Sequence, residues 1–147
     1  MAQLIESWRQ NPTPTGAAIY LQSLGDPHKS NDEKMFILSN FDDWRVITAT
    51  WFEMARSIDN ITALANDQQF TENGRRKAAL ICSKIAYCSE EYNEALERAL
   101  DSGELFNLTV ENDFKGHDTM VFPILISQYL IVSSVCQQNY STSTGHL

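Results

Sequence analysis

Three closely spaced glutamates, Glu90, Glu91 and Glu94, are the residues whose types and spacing could do chemistry. Carboxylate oxygens are the ligands that magnesium prefers, and a magnesium ion held by them can activate a phosphate group for hydrolysis. On one helix Glu90 and Glu94 are i, i+4 neighbours and share a face. The run could therefore supply part of a metal site, provided that a second helix contributed further carboxylates.

This run, Glu90-Glu91-x-x-Glu94, resembles the acidic run with which all-α nucleoside triphosphate pyrophosphohydrolases hold magnesium. The resemblance covers these five positions and implies metal-dependent hydrolysis of a nucleotide in a cleft. We expect Glu90 and Glu94 to point away from the apolar face of their helix, and the uncharged C-terminal segment offers no further carboxylate. The hydrolase is therefore the alternative function, and we predict no catalytic residue, no metal ligand and no cofactor.

Histidine and cysteine do not supply a stronger site. His117-Asp118 is a single pair in a predicted loop and offers too few ligands for a metal. Cys82 and Cys88 are about 9 Å apart along one predicted helix, too far for a disulfide, and Cys136 makes the cysteine count odd. Reduced thiols of this kind favour a cytoplasmic protein.

Composition and charge exclude several classes of protein. The chain has 147 residues, of which 43% are hydrophobic, enough for one globular domain without metal or disulfide support. Its formal net charge of −8 argues against direct nucleic-acid binding, which needs a basic surface. The apolar stretch at 120–136 is too short for a membrane span and is interrupted by Pro123. The N-terminal residues lack the pattern of a secretory signal. We therefore expect a cytoplasmic protein without a membrane partner.

The three glutamates are positioned by a long helix predicted over 71–102. Apolar residues recur in it at alternating spacings of three and four, which places them on one face. These residues are Ala78, Ile81, Ile85, Cys88, Tyr92, Ala95 and Ala99. The opposite face carries Glu90, Glu94, Glu97 and Asp101. The helix therefore has an apolar face along its length and, over its second half, an acidic face opposite.

A second long helix is predicted from Asn40 or Asp42 to about Asn66. Its apolar face has the same alternating spacing and consists of Trp44, Ile47, Trp51, Met54, Ile58, Ile61 and Ala65. A short connection at 67–71 makes the two long helices an antiparallel hairpin. Trp51 and Ile85 lie at the middle of the two faces, so we expect both to be deeply buried.

Shorter elements complete an all-α bundle. A first helix is predicted over 2–10, a second begins at Pro14 with Thr13 as its cap, and a capping box from Ser30 to Glu33 opens a third. We expect a short extended segment over 104–110 and a buried C-terminal helix over 120–136, with a buried strand pair as the alternative. The chain is then a single helical domain at 1–138 with a polar tail at 139–147.

In the antiparallel hairpin, one end of the molecule collects six carboxylates that we predict to bind a partner. They are Asp42, Asp43, Glu90, Glu94, Glu97 and Asp101. Acidic residues near a helix C-terminus interact unfavourably with the helix dipole. Each such residue costs about 0.3–1 kcal/mol of stability at low salt. We interpret them as an acidic helical surface offered to a basic protein surface. The predicted function is a non-catalytic binding or inhibitory protein, of the type that phages and mobile elements direct against nucleic-acid-handling complexes. Solubility alone is the competing interpretation, and a structural homo-oligomer, such as a homodimer, is a further alternative.

Overall fold

The computed structural model describes residues 2–105, and this range contains seven α-helices, one 3-10 turn and no strand. The helices are α1 Ala2–Gln10, α2 Pro14–Leu24, α3 Asn31–Phe41, α4 Trp44–Arg56, α5 Ile58–Asn66, α6 Glu72–Cys88 and α7 Tyr92–Ser102, followed by the 3-10 turn Gly103–Leu105. The predicted all-α fold is confirmed for this part of the chain. None of these seven helices is long and apolar enough to cross a membrane.

Several predictions fall elsewhere in the chain. The helix at 120–136, the tail at 139–147, most of the extended segment at 104–110 and the pair His117-Asp118 lie outside the described residues. The division into a domain at 1–138 and a tail therefore remains a prediction.

Side-chain caps begin α2 and α3 where the sequence predicted them. The hydroxyl of Thr13 accepts a hydrogen bond from the Gly16 amide at 3.2 Å, and the hydroxyl of Ser30 accepts one from the Glu33 amide at 3.2 Å. Each cap satisfies one of the amides that a helix N-terminus leaves without an internal partner. Pro14 is the first residue of α2, where its missing N–H costs nothing.

The aromatic ring of Trp8 packs α1 against the next two helices. Its centroid lies 5.3 Å from that of Tyr20 on α2 and 5.8 Å from that of Phe41 on α3. The indole N–H donates to the Thr13 carbonyl at 3.0 Å, so the polar end of the ring is also satisfied. Trp8 thus holds the short N-terminal helices together.

The helix predicted to start at Asn40 or Asp42 and to end near Asn66 is two helices, α4 and α5. The chain leaves the α-helical path at Ser57, whose amide donates to the Met54 carbonyl at 3.1 Å. No proline or glycine marks this break, which is why periodicity alone missed it. The helix also begins later than predicted, with Asp43 as its cap, and Trp51 is only half-buried, so its predicted deep burial was wrong.

The helix predicted over 71–102 is also two helices, separated by a turn at Ser89, Glu90 and Glu91. The Glu90 amide donates to the Tyr87 carbonyl at 3.1 Å, and the Glu91 amide donates to the Ala86 carbonyl at 2.9 Å. These two bonds are the Schellman pattern that ends a helix and reverses the chain. The pattern requires a left-handed residue, and Glu90 has φ 63°. Glycine is the usual residue at this position, so the sequence carried no signal for the turn.

Beyond this turn, α7 folds back along α6 with small residues between the two helices. Ala95, Ala99 and Ser102 are the buried residues of α7. Such small side chains let two helix backbones approach closely. The Ser83 hydroxyl on α6 donates to the Ala95 carbonyl at 2.6 Å, while Asp101 lines a small groove together with Arg75 near the start of α6. The two helices are therefore antiparallel.

Helix α6 is the centre of the described part of the chain. It packs against α3, α4, α5 and α7, and every residue from Ala78 to Tyr87 is buried. A helix that is covered on all sides is typical of a domain centre rather than its surface. Ile85 is only 2% exposed, so its predicted deep burial is confirmed.

We expect Ile85→Ala to lower the free energy of unfolding by about 2–5 kcal/mol, because the truncation leaves a cavity in a close-packed core. The matched control is Phe52→Ala on α4, where the ring is 65% exposed and its loss should cost below about 0.5 kcal/mol. Urea unfolding followed by circular dichroism measures both. Equal effects of the two substitutions would contradict the central position of α6.

Candidate functional site

An open groove of about 920 Å³ lies between the α4–α5 junction, α6 and the start of α7. Apolar side chains of Ile58 and Ile85 contribute to its wall. The glutamates that the sequence singled out, Glu90, Glu91, Glu94 and Glu97, line it from the turn and from α7, and all four are exposed. The groove is thus apolar where α5 and α6 form it and acidic where α7 does.

The glutamates of the groove do not converge on a metal site. Glu94 accepts a hydrogen bond from the Arg98 guanidinium at 3.1 Å, and Arg98 also lies 3.7 Å from Asp101. The carboxylate of Glu94 is therefore already paired with an arginine. Among residues 2–105, no group of three histidine, cysteine or acidic side chains is close enough to hold a metal ion.

Asp42 is part of an internal ion pair rather than an exposed surface. Its carboxylate lies 2.7 Å from the Lys84 ammonium, and the two side chains are 21% and 5% exposed. The same ammonium lies 5.2 Å from the centre of the Trp44 ring, within cation–π distance. Trp44 in turn packs edge-to-face on Tyr87, with ring centroids 5.7 Å apart. The start of α4 is therefore bound to the C-terminal half of α6.

Asp43 is also used internally, as the cap of α4. Its carboxylate accepts from the Arg45 amide at 2.8 Å and from the Arg9 side chain at 3.0 Å. Burial by itself raises the pKa of Asp43, but the hydrogen bonds from the backbone and side chain of Arg45 and from Arg9 outweigh it and lower the pKa below 3.8. The residue is thus a carboxylate at neutral pH and connects α1 to α4.

The six carboxylates predicted as one partner-binding surface are distributed over separate places. Asp42 and Asp43 lie at the α3–α4 junction, beside the end of α6. Asp101 lines a small groove together with Arg75, which lies nine residues, or about 13.5 Å, from Lys84 along α6, because α7 turns back instead of continuing. Glu90, Glu94 and Glu97 remain together along the groove. The predicted single acidic end is therefore not formed, and partner binding by these residues remains a prediction.

Sequence reasoning missed the two cations that hold the α3–α4 junction, Lys84 and Arg9. Lys84 is the single charged residue between Ala78 and Tyr87, an otherwise uncharged run. A lone lysine inside such a run is the signal that could have indicated a buried ion pair. Arg9 carries no comparable signal, because an arginine near the end of a short helix is ordinary.

The two cysteines in the described range are free thiols of low reactivity. Burial raises the pKa of Cys82 to about 11, in spite of the hydrogen bond with Thr62, and burial also raises the pKa of Cys88 to about 11. Since the thiolate is the reactive form, neither side chain is a nucleophile at neutral pH. Cys82 contributes to the apolar wall of the groove without supplying chemistry.

Comparison with known proteins decides the family. Residues 15–145 match the model for the N-terminal domain of the 26S proteasome subunit RPN2. The chain belongs to this family.

The relatives are long proteins of which this chain matches a small part. It is 36% identical over 101 residues to the 26S proteasome non-ATPase regulatory subunit 1 of Caenorhabditis elegans, covering 68% of this chain and 10% of the relative. It is 34% identical over 94 residues to homolog B of that subunit from Arabidopsis thaliana, covering 64% and 9%. It is 33% identical over 69 residues to the regulatory subunit RPN2 of Saccharomyces cerevisiae, covering 47% and 7%. The chain thus spans about a tenth of the length of the first relatives. No solved structure gives a significant match.

The function predicted from the sequence was wrong. A family match over 15–145 to a proteasome subunit replaces both the phage-type inhibitor and the nucleotide pyrophosphohydrolase. The inhibitor hypothesis depended on one acidic end of the molecule, which the reversal of α7 and the internal pairing of Asp42 and Asp43 remove. The hydrolase hypothesis depended on three glutamates facing a metal, and Glu94 is instead paired with Arg98.

We expect Lys84→Met to lower the free energy of unfolding by roughly 2–4 kcal/mol, because it leaves the partly buried Asp42 carboxylate without this cation. Adding Asp42→Asn should recover part of the loss, since the remaining amide carries no charge. A double-mutant cycle in urea measures the coupling between the two residues. Additive effects would contradict the ion pair.

We expect Asp43→Asn to cost about 0.5–1 kcal/mol at neutral pH, because asparagine still caps α4 but loses the attraction of Arg9 and Arg45. Since folding lowers the pKa of Asp43, its stabilisation is present above the unfolded pKa near 3.8 and is lost as the pH falls through the folded value. The difference between wild type and variant should thus be constant from about pH 5 to 8 and shrink below about pH 4. Thermal unfolding across this range tests it, and a pH-independent difference would contradict the charge effect.

Proposed function

We propose that this chain serves as a non-catalytic helical packing unit of a proteasome regulatory subunit, where it contacts neighbouring protein subunits. The observation that carries this proposal is the match of residues 15–145 to the N-terminal domain of RPN2. The relatives are named regulatory and non-ATPase subunits, which supports a role in assembly rather than chemistry. Proteasomes of the cytoplasm and nucleus are the proposed setting.

The arrangement of side chains supports a structural role. Charged residues in the interior, such as Lys84 and Asp43, are paired with residues of other helices and thereby hold the bundle in one arrangement. Burial raises the pKa values of the two thiols further above neutral pH, so both are protonated there. Within residues 2–105 these features favour rigidity over reactivity.

A finer proposal concerns which surface meets a neighbouring subunit. Glu90 and Glu97 are exposed along the groove, and neither is engaged by an ion pair among the described contacts, whereas Asp42 and Asp43 are held internally. A basic surface on the neighbour would complement these free glutamates. Asp42 and Asp43 are accordingly left out of the proposed contact.

The test is a chimaera in which this chain replaces the segment of Saccharomyces cerevisiae RPN2 that it matches. We expect the chimaera to enter 26S particles, as measured by native gel electrophoresis with peptidase activity staining. An Ile85→Asp version should fail to enter, because a charge in the α6 core unfolds the segment. A Phe52→Ala version is the folded control.

A chimaera that folds but leaves the particles without the subunit would contradict the packing role. The basic-partner proposal is tested separately with Glu90→Gln and Glu97→Gln in the same chimaera. These changes should weaken incorporation most at low salt, where unscreened charges attract most strongly. Incorporation that is insensitive to both changes would contradict the basic partner and leave the packing role in place.

A further inference from the structure

The small groove that Arg75 and Asp101 line has a volume of about 310 Å³ and collects three arginines. Arg75 and Arg76 come from the start of α6, and Arg98 comes from the second half of α7. The three side chains meet because α7 runs antiparallel to α6. Two carboxylates, those of Glu72 and Asp101, also line the groove. The lining therefore carries one more positive than negative charge, in a chain whose formal net charge is −8.

The guanidinium groups are held in place by contacts that use only part of each one. Nη1 of Arg75 donates to the Phe70 carbonyl at 2.7 Å, and Nη2 of Arg76 donates to the Glu72 carboxylate at 2.9 Å. Nε of Arg98 donates to a carboxylate of its own helix at 3.1 Å. A guanidinium has three nitrogens with five N–H donors in all. Among the described contacts, each arginine therefore keeps donors that a ligand in the groove can use.

The chemistry of the groove favours a phosphate group over a carboxylate. The side chains of Arg76 and Arg98 are 40% and 23% exposed, so they are accessible to a ligand but less screened by solvent than fully exposed arginines. The planar fork of arginine matches two oxygens of a phosphate or carboxylate. A carboxylate has only two oxygens, whereas a phosphate monoester presents three and thus accepts from more than one arginine at a time.

We propose that the small groove binds the phosphate group of a phosphorylated side chain on a partner protein. Arginine clusters are a recurring means of recognising phosphorylated segments. The groove is larger than a phosphate ion alone, which leaves room for the side chain that carries the phosphate. This inference goes beyond the packing role proposed above and does not depend on it.

Substitutions in the groove should change the affinity in opposite directions. Arg76→Gln removes one guanidinium and should weaken binding about tenfold, because it deletes charge-assisted hydrogen bonds. Asp101→Asn removes a carboxylate that repels the phosphate and should strengthen binding about two- to fivefold. The matched control is Arg56→Gln on α4. Arg56 is 68% exposed and, like Arg76, pairs with a glutamate of its own helix, Glu53 at 3.6 Å, but it lies outside the groove.

The experiment measures binding of short fluorescent peptides to the full chain by fluorescence anisotropy. Three peptides of the form Ala-Gly-X-Gly-Ala are compared, in which X is phosphoserine, serine or glutamate. Competition by inorganic phosphate distinguishes a free phosphate ion from a phosphorylated side chain. Circular dichroism verifies that each variant keeps its helical content.

We expect the phosphoserine peptide to bind at least tenfold more tightly than the other two peptides and than inorganic phosphate. Arg76→Gln should weaken this binding, Asp101→Asn should strengthen it, and Arg56→Gln should leave it unchanged. Failure of the Asp101→Asn variant to bind the phosphoserine peptide would overturn the proposal. Equal binding of the glutamate peptide or of inorganic phosphate would do the same, as would equal losses in Arg76→Gln and Arg56→Gln, which would indicate net charge rather than a site.

Discussion

The ion pair between Lys84 and Asp42 is the constraint on which the described structure most depends. Lys84 lies in the middle of a helix that is buried from Ala78 to Tyr87, and an ammonium group in such surroundings is costly unless an anion reaches it. The α3–α4 junction must therefore lie at Lys84, which sets the position of α4 along α6. Asp43, the next residue, caps α4 and binds Arg9 of α1. The two-residue junction between α3 and α4 consequently also connects these helices to α6 and α1.

Local signals in the sequence were enough to predict part of the fold. The caps at Thr13 and Ser30 and the apolar faces indicated helices correctly, because a cap or a face depends only on residues a few positions away. The breaks at Ser57 and Glu90 were not predictable in this way. A periodic apolar pattern continues unchanged across a reversal when the returning helix also needs an apolar face, as α7 does with Ala95 and Ala99. Whether the chain turns is then decided by packing between helices.

The candidate site shows the same division between local and tertiary information. Exposure of Glu94 and Glu97 follows from their place opposite the apolar face of α7, whereas Glu90 is exposed because it lies in the turn before that helix. Asp42 is held internally because it pairs with a lysine forty-two residues away, and no local pattern identifies Asp42 as the partner of that lysine. Charge and periodicity do not predict the family at all. An acidic composition is evidence about the solubility of a protein, not about the identity of its partner.

The central position of α6 separates residues that fold the chain from residues that can meet a neighbour. Substitutions between Ala78 and Tyr87 act on the core, since this helix has no exposed residue there. Exposed positions on α4 recur with a spacing of four, three and four, at Arg45, Ala49, Phe52 and Arg56. This face is cationic and aromatic, whereas the exposed face of α7 is acidic. Substitutions on either face do not change the Lys84–Asp42 pair. A substitution there that prevents subunit assembly can therefore be distinguished from one that prevents folding.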